Sequence, residues 1–105
     1  MSVRRKYGNV PTETDGIRFA SKREAERWAT LRLKERLGEI RHLARQIRYP
    51  LVVAGQPIAV YVADFVYELP DGRQVVEDAK GFRLREYVLK RRLMLACHGI
   101  EIQEV

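Results

Sequence analysis

The chain is poor in cysteine and histidine, and this scarcity excludes two ways of stabilising a small protein. Its 105 residues include one cysteine, Cys97, and two histidines, His42 and His98. A single cysteine cannot form an internal disulfide, which fits a reducing compartment. One cysteine and two histidines also fall short of an ordinary structural zinc site. We therefore interpret Cys97 as a buried residue of a helix.

Long apolar runs are also missing. No segment approaches the roughly 18 uninterrupted apolar residues of a membrane-spanning helix. Arg4-Arg5-Lys6 leads into polar sequence, unlike a secretory signal. There is no repeat, low-complexity stretch or long linker, and an apolar content of 46% supports a globular fold. We expect one domain with a single core, located in the cytoplasm.

Acidic residues are outnumbered by basic ones. Fourteen Asp and Glu against 20 Lys and Arg give a net charge of +6 and a pI near 9.8. On so small a domain this favours a polyanionic partner, nucleic acid above all, although a solvated helix face could have the same composition. The candidate phosphate contacts form two clusters: Arg4, Arg5 and Lys6, and then Arg83, Arg85, Lys90, Arg91 and Arg92.

What the chain does contain is a hairpin whose turn sets its register. Segment 58–67 is rich in β-branched and aromatic residues, with Val60, Val62 and Val66 at alternating positions, which predicts a strand, and segment 73–80 is predicted to be its partner. Between them, Pro70 and Asp71 suit the central positions of a type I turn, and Gly72 suits the left-handed position after it. Such a three-residue loop with a G1 bulge pairs Leu69 with Arg73.

Counting back from that turn places Asp64 opposite Asp78, and Val62 opposite Lys80. Like charges directly opposite each other destabilise a sheet, so two carboxylates there call for a cation between them. Lys80 serves in part. A divalent metal such as Mg²⁺, which takes carboxylate, water and phosphate oxygens, serves better. The alternative is a surface hairpin whose acids are solvated or paired with arginines, and a slip of one residue would separate the two acids.

The rest of the chain predicts an α/β fold in the order helix, three strands, helix, strand, with a short extended piece at 16–19. The first helix starts after Ser21 as N-cap and ends near Leu37, before Gly38. A strand follows within 40–53, at a sheet edge because of Pro50. A second helix covers 84–98, and a last strand 100–105.

Burial on the two helices follows from their periodicity. The first helix is expected to bury Trp28, Leu31, Leu33 and Leu37, with Ala25 and Ala29 between them and Arg27 on the solvated side. The second is expected to bury Tyr87, Val88, Met94 and Leu95. We expect Glu77 to point away from the acid pair and to bind an arginine of the second helix.

A third acid, Glu24, lies one turn before Trp28, at the border of the buried face. From there its carboxylate can lean over the sheet toward the acid pair. Ser21 and Glu24 are also spaced as a capping box, in which Glu24 reaches back to the Ser21 amide. Glu26, at the other border of the apolar face, is a rival for the site. The residues leave these roles open.

These segments together resemble the PD-(D/E)xK nuclease superfamily, and more narrowly a family of small phage-encoded nuclease-like proteins formerly of unknown function. Ala63-Asp64-Phe65 stands at its first acidic position, although Ala63 replaces the usual proline, and Asp78-Ala79-Lys80 stands as the (D/E)xK. Ser21-Lys22-Arg23-Glu24 is similar to the helical glutamate motif of archaeal-type Holliday-junction resolvases. The resemblance extends over nearly the whole chain.

The resemblance implies an αβββαβ restriction-endonuclease-like core: a mixed four-stranded sheet flanked by two helices at 21–105, preceded by a basic arm and extended segment at 1–20. It also implies a Mg²⁺- or Mn²⁺-dependent endonuclease acting on branched or recombination DNA. Asp64 and Asp78 are then metal ligands, with Glu24 bound directly or through water. Lys80 orients or deprotonates the attacking water or stabilises the transition state. Gln46 is auxiliary, and the alternative for it is an ordinary exposed strand residue.

Two other interpretations stay open. The first is a catalytically silent nucleic-acid-binding module on the same fold, which would gain nothing from acids facing phosphate. The second is a small interaction protein of a phage replication or packaging assembly, against which the basic arm argues. A homodimer is expected if a junction is cut symmetrically, whereas a monomer suffices for nicking.

Overall fold

The computed structural model describes residues 11–79 and 84–105, and its elements follow the predicted order. In chain order they are β1 (Thr12–Thr14), β2 (Ile17–Phe19), α1 (Lys22–Arg36), β3 (Arg41–Val53), β4 (Gln56–Glu68), β5 (Gln74–Asp78), α2 (Arg85–His98) and β6 (Gln103–Glu104). The predicted succession of helix, three strands, helix and strand is confirmed. The small β1–β2 hairpin precedes it, and Phe19 of that hairpin is buried against the Trp28 ring of α1.

The main sheet has four strands in the order β3-β4-β5-β6. The β3–β4 and β4–β5 pairs are antiparallel, and β6 is parallel to β5, so the sheet is mixed. The parallel pair requires a crossover, which α2 supplies. Strand β3 lies at an edge, where Pro50 is tolerated. The last strand is shorter than predicted, because only Gln103 and Glu104 pair with β5.

Helix α1 has the predicted ends. The Ser21 hydroxyl accepts a hydrogen bond from the Glu24 amide at 3.2 Å, which satisfies one of the amides left open at a helix start. At the other end, Leu37 is the C-cap and Gly38 has φ +76°, the left-handed geometry that glycine adopts without strain.

The buried face of α1 differs from the prediction at its C-terminal end. Trp28 and Leu31 are buried as expected, but Leu33 and Leu37 are 56% and 65% exposed. Arg27, expected in solvent, is half-buried because it donates two hydrogen bonds to Glu77 of β5, at 2.8 and 2.6 Å. The helix therefore presents a charged side chain to the sheet beside Trp28 and Leu31, and leaves its two C-terminal leucines exposed.

Helix α2 differs from the prediction at one position. Tyr87 and Met94 are buried and Val88 is partly buried, whereas Leu95 is 56% exposed. Leu95 lies about 100° around the helix from Met94, so both cannot face the sheet centrally. Cys97 is only partly buried, with its thiol 3.4 Å from the Val52 carbonyl.

Two groups of buried side chains lie against the sheet. One contacts α1 and includes Phe65 and Tyr67 of β4. The other contacts α2 and includes Tyr61 and Ala63 of the same strand. Strict alternation along β4 would place all four residues on one face. The strand therefore changes the side on which it packs between Ala63 and Phe65.

Asp64 stands at this change of side. The register of β3 with β4 is the same before and after it and places Gln46 opposite Asp64. Gln46 has φ +53°, in the left-handed region that a residue with a side chain rarely adopts. Strained backbone of this kind persists where the surrounding structure enforces it and is frequent at functional sites.

Across the described ranges, no helix combines the length and the apolar character needed to cross a membrane.

Candidate active site

The β4–β5 hairpin has the predicted turn and register. The Leu69 amide donates to the Arg73 carbonyl at 2.9 Å, the Gly72 amide donates to the Leu69 carbonyl at 2.9 Å, and Gly72 has φ +90°. Val66 pairs with Val76, as counted from the turn. The printed pairing ends with Phe65 and Glu77, and Asp64 and Asp78 are the next residues on the two strands.

Both of these acids are buried. Asp64 is 6% exposed and Asp78 is 1% exposed. Asp64 Oδ2 accepts a hydrogen bond from the Ala79 amide at 2.8 Å, which connects β4 to the chain just after β5. Asp78 Oδ2 accepts one from the Tyr61 hydroxyl at 2.8 Å. Buried carboxylates fixed by directional bonds form a preorganised oxygen site, which hard cations favour.

Tyr61 was not predicted as a site residue. Burial, together with the charge of Asp78, raises the pKa of Tyr61 well above its ordinary value, and Asp64 and Tyr87 add to this. Its hydroxyl therefore stays protonated and acts as a donor toward Asp78. Tyr61 lies three positions before Asp64, so alternation puts it on the wrong face. Only the change of side at Asp64 brings it to the acids.

Glu24 is buried, and its carboxylate is directed at β3. Gln46 Nε2 donates to Glu24 Oε1 at 3.3 Å, and a guanidinium nitrogen of Arg45 lies 3.7 Å from the same oxygen. The sequence predicted Gln46 as an auxiliary residue, and the structure places it against the third acid. The rival Glu26 is exposed and lies 3.9 Å from Lys22.

Arg45 is a second residue that sequence reasoning missed. Its guanidinium lies 4.4 Å from the centre of the Phe19 ring and 5.9 Å from that of Trp28, within the range of cation–π attraction. The Trp28 indole is itself held by a hydrogen bond of 3.1 Å to Asp15. An arginine on an edge strand gives no sequence signal of stacking, because its partners come from β2 and α1.

Glu77, the neighbour of Asp78, belongs to a separate ion pair on the α1 side. Arg27 binds both of its oxygens, and Tyr67 also donates to Oε2. The hydrogen bonds from Arg27 to Glu77 raise the pKa of Arg27. Burial, followed by the bond to Glu77, raises the pKa of Tyr67 to about 12. The expected second-helix arginine was therefore wrong, and the partner is an arginine of α1.

The donor set fits a divalent cation held by two carboxylates. Asp64 and Asp78 would supply hard oxygen ligands from neighbouring strands, and Mg²⁺ is often bound by one or two carboxylates with water and phosphate completing its shell. Within residues 11–79 and 84–105, however, no three Asp, Glu, His or Cys side chains cluster closely enough to hold one ion. Glu24 therefore does not form a three-residue metal-holding group with Asp64 and Asp78.

Several predicted residues lie outside the described part of the chain. They are Lys80, Arg83, Arg4, Arg5 and Lys6. Of the basic residues on α2, Lys90 lies 3.0 Å from Glu86 and Arg91 lies 2.9 Å from Glu104. Arg85 and Arg92 are exposed and form no ion pair with any described residue.

Comparison with known protein families gives a match over most of the chain. The family described as "Protein of unknown function (DUF1064)" matches residues 4–101. No curated protein and no solved structure matches the chain significantly.

Proposed function

Since the chain belongs to the DUF1064 family, whose description names no activity, we propose its function from the geometry of the site. The proposal is a metal-dependent endonuclease that hydrolyses DNA phosphodiester bonds, acting on branched or recombination intermediates. The observation that carries it is the burial of Asp64 and Asp78, which lie on neighbouring strands just beyond the Phe65–Glu77 pair and each accept a hydrogen bond from a defined donor. Burying two like charges side by side is costly unless a cation offsets it.

In this proposal Asp64 and Asp78 hold Mg²⁺ or Mn²⁺. When bound, the ion lowers the pKa of a coordinated water and offsets charge on the phosphate. Glu24, positioned by Gln46, accepts a hydrogen bond from water at the edge of the site. Lys80 follows Ala79, whose amide is bound by Asp64. Lys80 orients or deprotonates the attacking water, or stabilises the pentacovalent phosphorus state.

The basic residues then hold the DNA. Arg85 and Arg92 are exposed on α2, the helix that also contributes the buried Tyr87 to the core beside the site. Phosphate contacts of this kind set orientation and salt dependence without reading bases. The protein is therefore expected to recognise the shape of the DNA. Further phosphate contacts in this proposal are Arg4, Arg5, Lys6, Arg83, Lys90 and Arg91. A phage or prophage origin, action in the bacterial cytoplasm and a homodimer on junctions belong to the same proposal.

A catalytically silent DNA-binding module is the second candidate. It is favoured by one observation, that no three-residue metal cluster occurs among the described residues. In that case the bonds of Asp64 to Ala79 and of Asp78 to Tyr61 only stabilise the hairpin. The two candidates differ in whether a divalent metal matters.

The test is cleavage of labelled four-way junction, nicked, flap, duplex and single-stranded DNA with Mg²⁺, Mn²⁺ or EDTA. Asp64→Asn and Lys80→Ala proteins run alongside, with Asp71→Asn as a matched control, because Asp71 is an exposed acid in the turn of the same hairpin. We expect metal-dependent cutting that Asp64→Asn and Lys80→Ala abolish and Asp71→Asn retains. Equal, salt-sensitive binding by all four proteins without cutting would favour the silent module.

A further inference from the structure

Tyr61 and Asp78 make a buried contact that the proposed reaction does not by itself require. We infer that Tyr61 is a positioning residue, which holds the Asp78 carboxylate in the orientation that metal binding needs. This rests on the proposed function, since it assigns a role at the same site. Its basis is the 2.8 Å bond from the Tyr61 hydroxyl to Asp78 Oδ2 and the burial of both residues.

The path of β4 supports this role. Tyr61 reaches Asp78 only because β4 changes sides at Asp64, opposite the left-handed residue Gln46. A regular strand would have turned the Tyr61 side chain toward the opposite face. The change of side of β4 therefore positions one candidate ligand, Asp64, and also brings the Tyr61 hydroxyl to the other candidate ligand, Asp78.

A second tyrosine on β4 provides the contrast. Tyr67 also donates to a buried carboxylate, that of Glu77, but Arg27 binds the same carboxylate through both oxygens. Glu77 is thereby part of an ion pair, which leaves it unsuited to a further cation. The Tyr61 hydroxyl is neutral, so it orients Asp78 without cancelling its charge. Hydrogen bonds to the ligands of metal sites commonly have this function.

The experiment compares Tyr61→Phe with Tyr67→Phe, two variants that each delete one buried hydroxyl from the same strand. Mn²⁺ affinity is measured without DNA, by calorimetry or by the electron paramagnetic resonance signal of free Mn²⁺. Loss of a hydrogen bond to a metal-ligating side chain typically weakens metal affinity about 10- to 100-fold. We expect that loss in Tyr61→Phe and less than about twofold change in Tyr67→Phe, each checked to be folded by circular dichroism.

Activity gives an independent readout. Because Tyr61→Phe retains both carboxylates, raising Mn²⁺ should restore its cleavage rate, whereas Asp78→Asn should stay inactive at any concentration. Wild-type affinity in Tyr61→Phe, or equal weakening in both tyrosine variants, would overturn the positioning role while leaving the nuclease proposal intact. A wild-type protein that neither binds Mn²⁺ nor cuts DNA would overturn both.

Discussion

At the residue scale, Glu77 and Asp78 are consecutive acids with different surroundings. Glu77 is bound by Arg27 and Tyr67 against α1, and Asp78 is bound by Tyr61 beside α2. Because successive strand residues face opposite sides, one short strand supplies both a structural ion pair and a candidate metal ligand. This division predicts that the two acids affect different measured properties.

Glu77→Gln should reduce stability. Removing the charge leaves Arg27 half-buried without its anionic partner. Breaking a fully buried pair costs roughly 3–5 kcal/mol, and the partial exposure of Arg27 lowers the expected loss to about 2 kcal/mol. Urea denaturation measures it. Glu86→Gln, which removes the exposed partner of Lys90, is the control and should change stability by less than about 1 kcal/mol. Equal effects of the two substitutions would contradict a structural role for Glu77.

Part of the site could be predicted from the sequence because its determinants are local. The turn at Pro70–Gly72 sets the register of the hairpin. Counting residues back from this turn along both strands was then enough to predict that Asp64 and Asp78 are neighbours. Tyr61 could not be found this way. Its position depends on the change of side of β4 at Asp64, across from the left-handed residue Gln46, and a glutamine in a strand gives no signal of left-handed backbone.

At the element scale, the β4–β5 turn determines the geometry of the site at a distance. Gly72 has φ +90°, and a Cβ atom placed on it would meet nothing within 4 Å. A substitution at Gly72 is therefore limited by backbone conformation and not by steric crowding. Gly72→Ala should therefore destabilise the protein by about 1 kcal/mol. Chemical denaturation checks this, with the exposed neighbour Gln74→Ala as control. A neutral Gly72→Ala would show that the register is held by the strands alone.

The helices show where periodicity is insufficient. The sequence pattern of α1 offers leucines at 33 and 37 and an arginine at 27, and hydrophobicity alone selects the leucines. The fold buries part of Arg27 instead, because Glu77 lies across from it on β5. That acid is fifty residues away in sequence, so the pairing depends on tertiary structure and not on the helix's own pattern. Leu95 of α2 is exposed because the residue before it, Met94, occupies the centre of the buried face of that helix.

At the scale of the whole molecule, the excess of positive charge predicts how DNA binding should depend on salt. With a net charge of +6, attraction to a polyanion is long-ranged and screened over about 10 Å at 0.1 M salt. Each phosphate contact releases counterions and steepens the plot of log affinity against log salt by about 0.9 on duplex DNA. Charges already paired within the protein contribute less, because contacting phosphate would first require the pair to break.

Arg85→Gln and Arg92→Gln should each weaken DNA binding and each reduce that slope by about 0.9, because both arginines are exposed and form no ion pair with a described residue. Arg91→Gln should reduce it less, since Arg91 lies 2.9 Å from Glu104. Fluorescence anisotropy from 50 to 300 mM salt measures all three slopes. Each arginine variant also carries Asp64→Asn, so that DNA binding is measured without cleavage. Unchanged slopes in Arg85→Gln and Arg92→Gln would place the DNA away from α2, and the proposed arrangement of phosphate contacts would then be wrong.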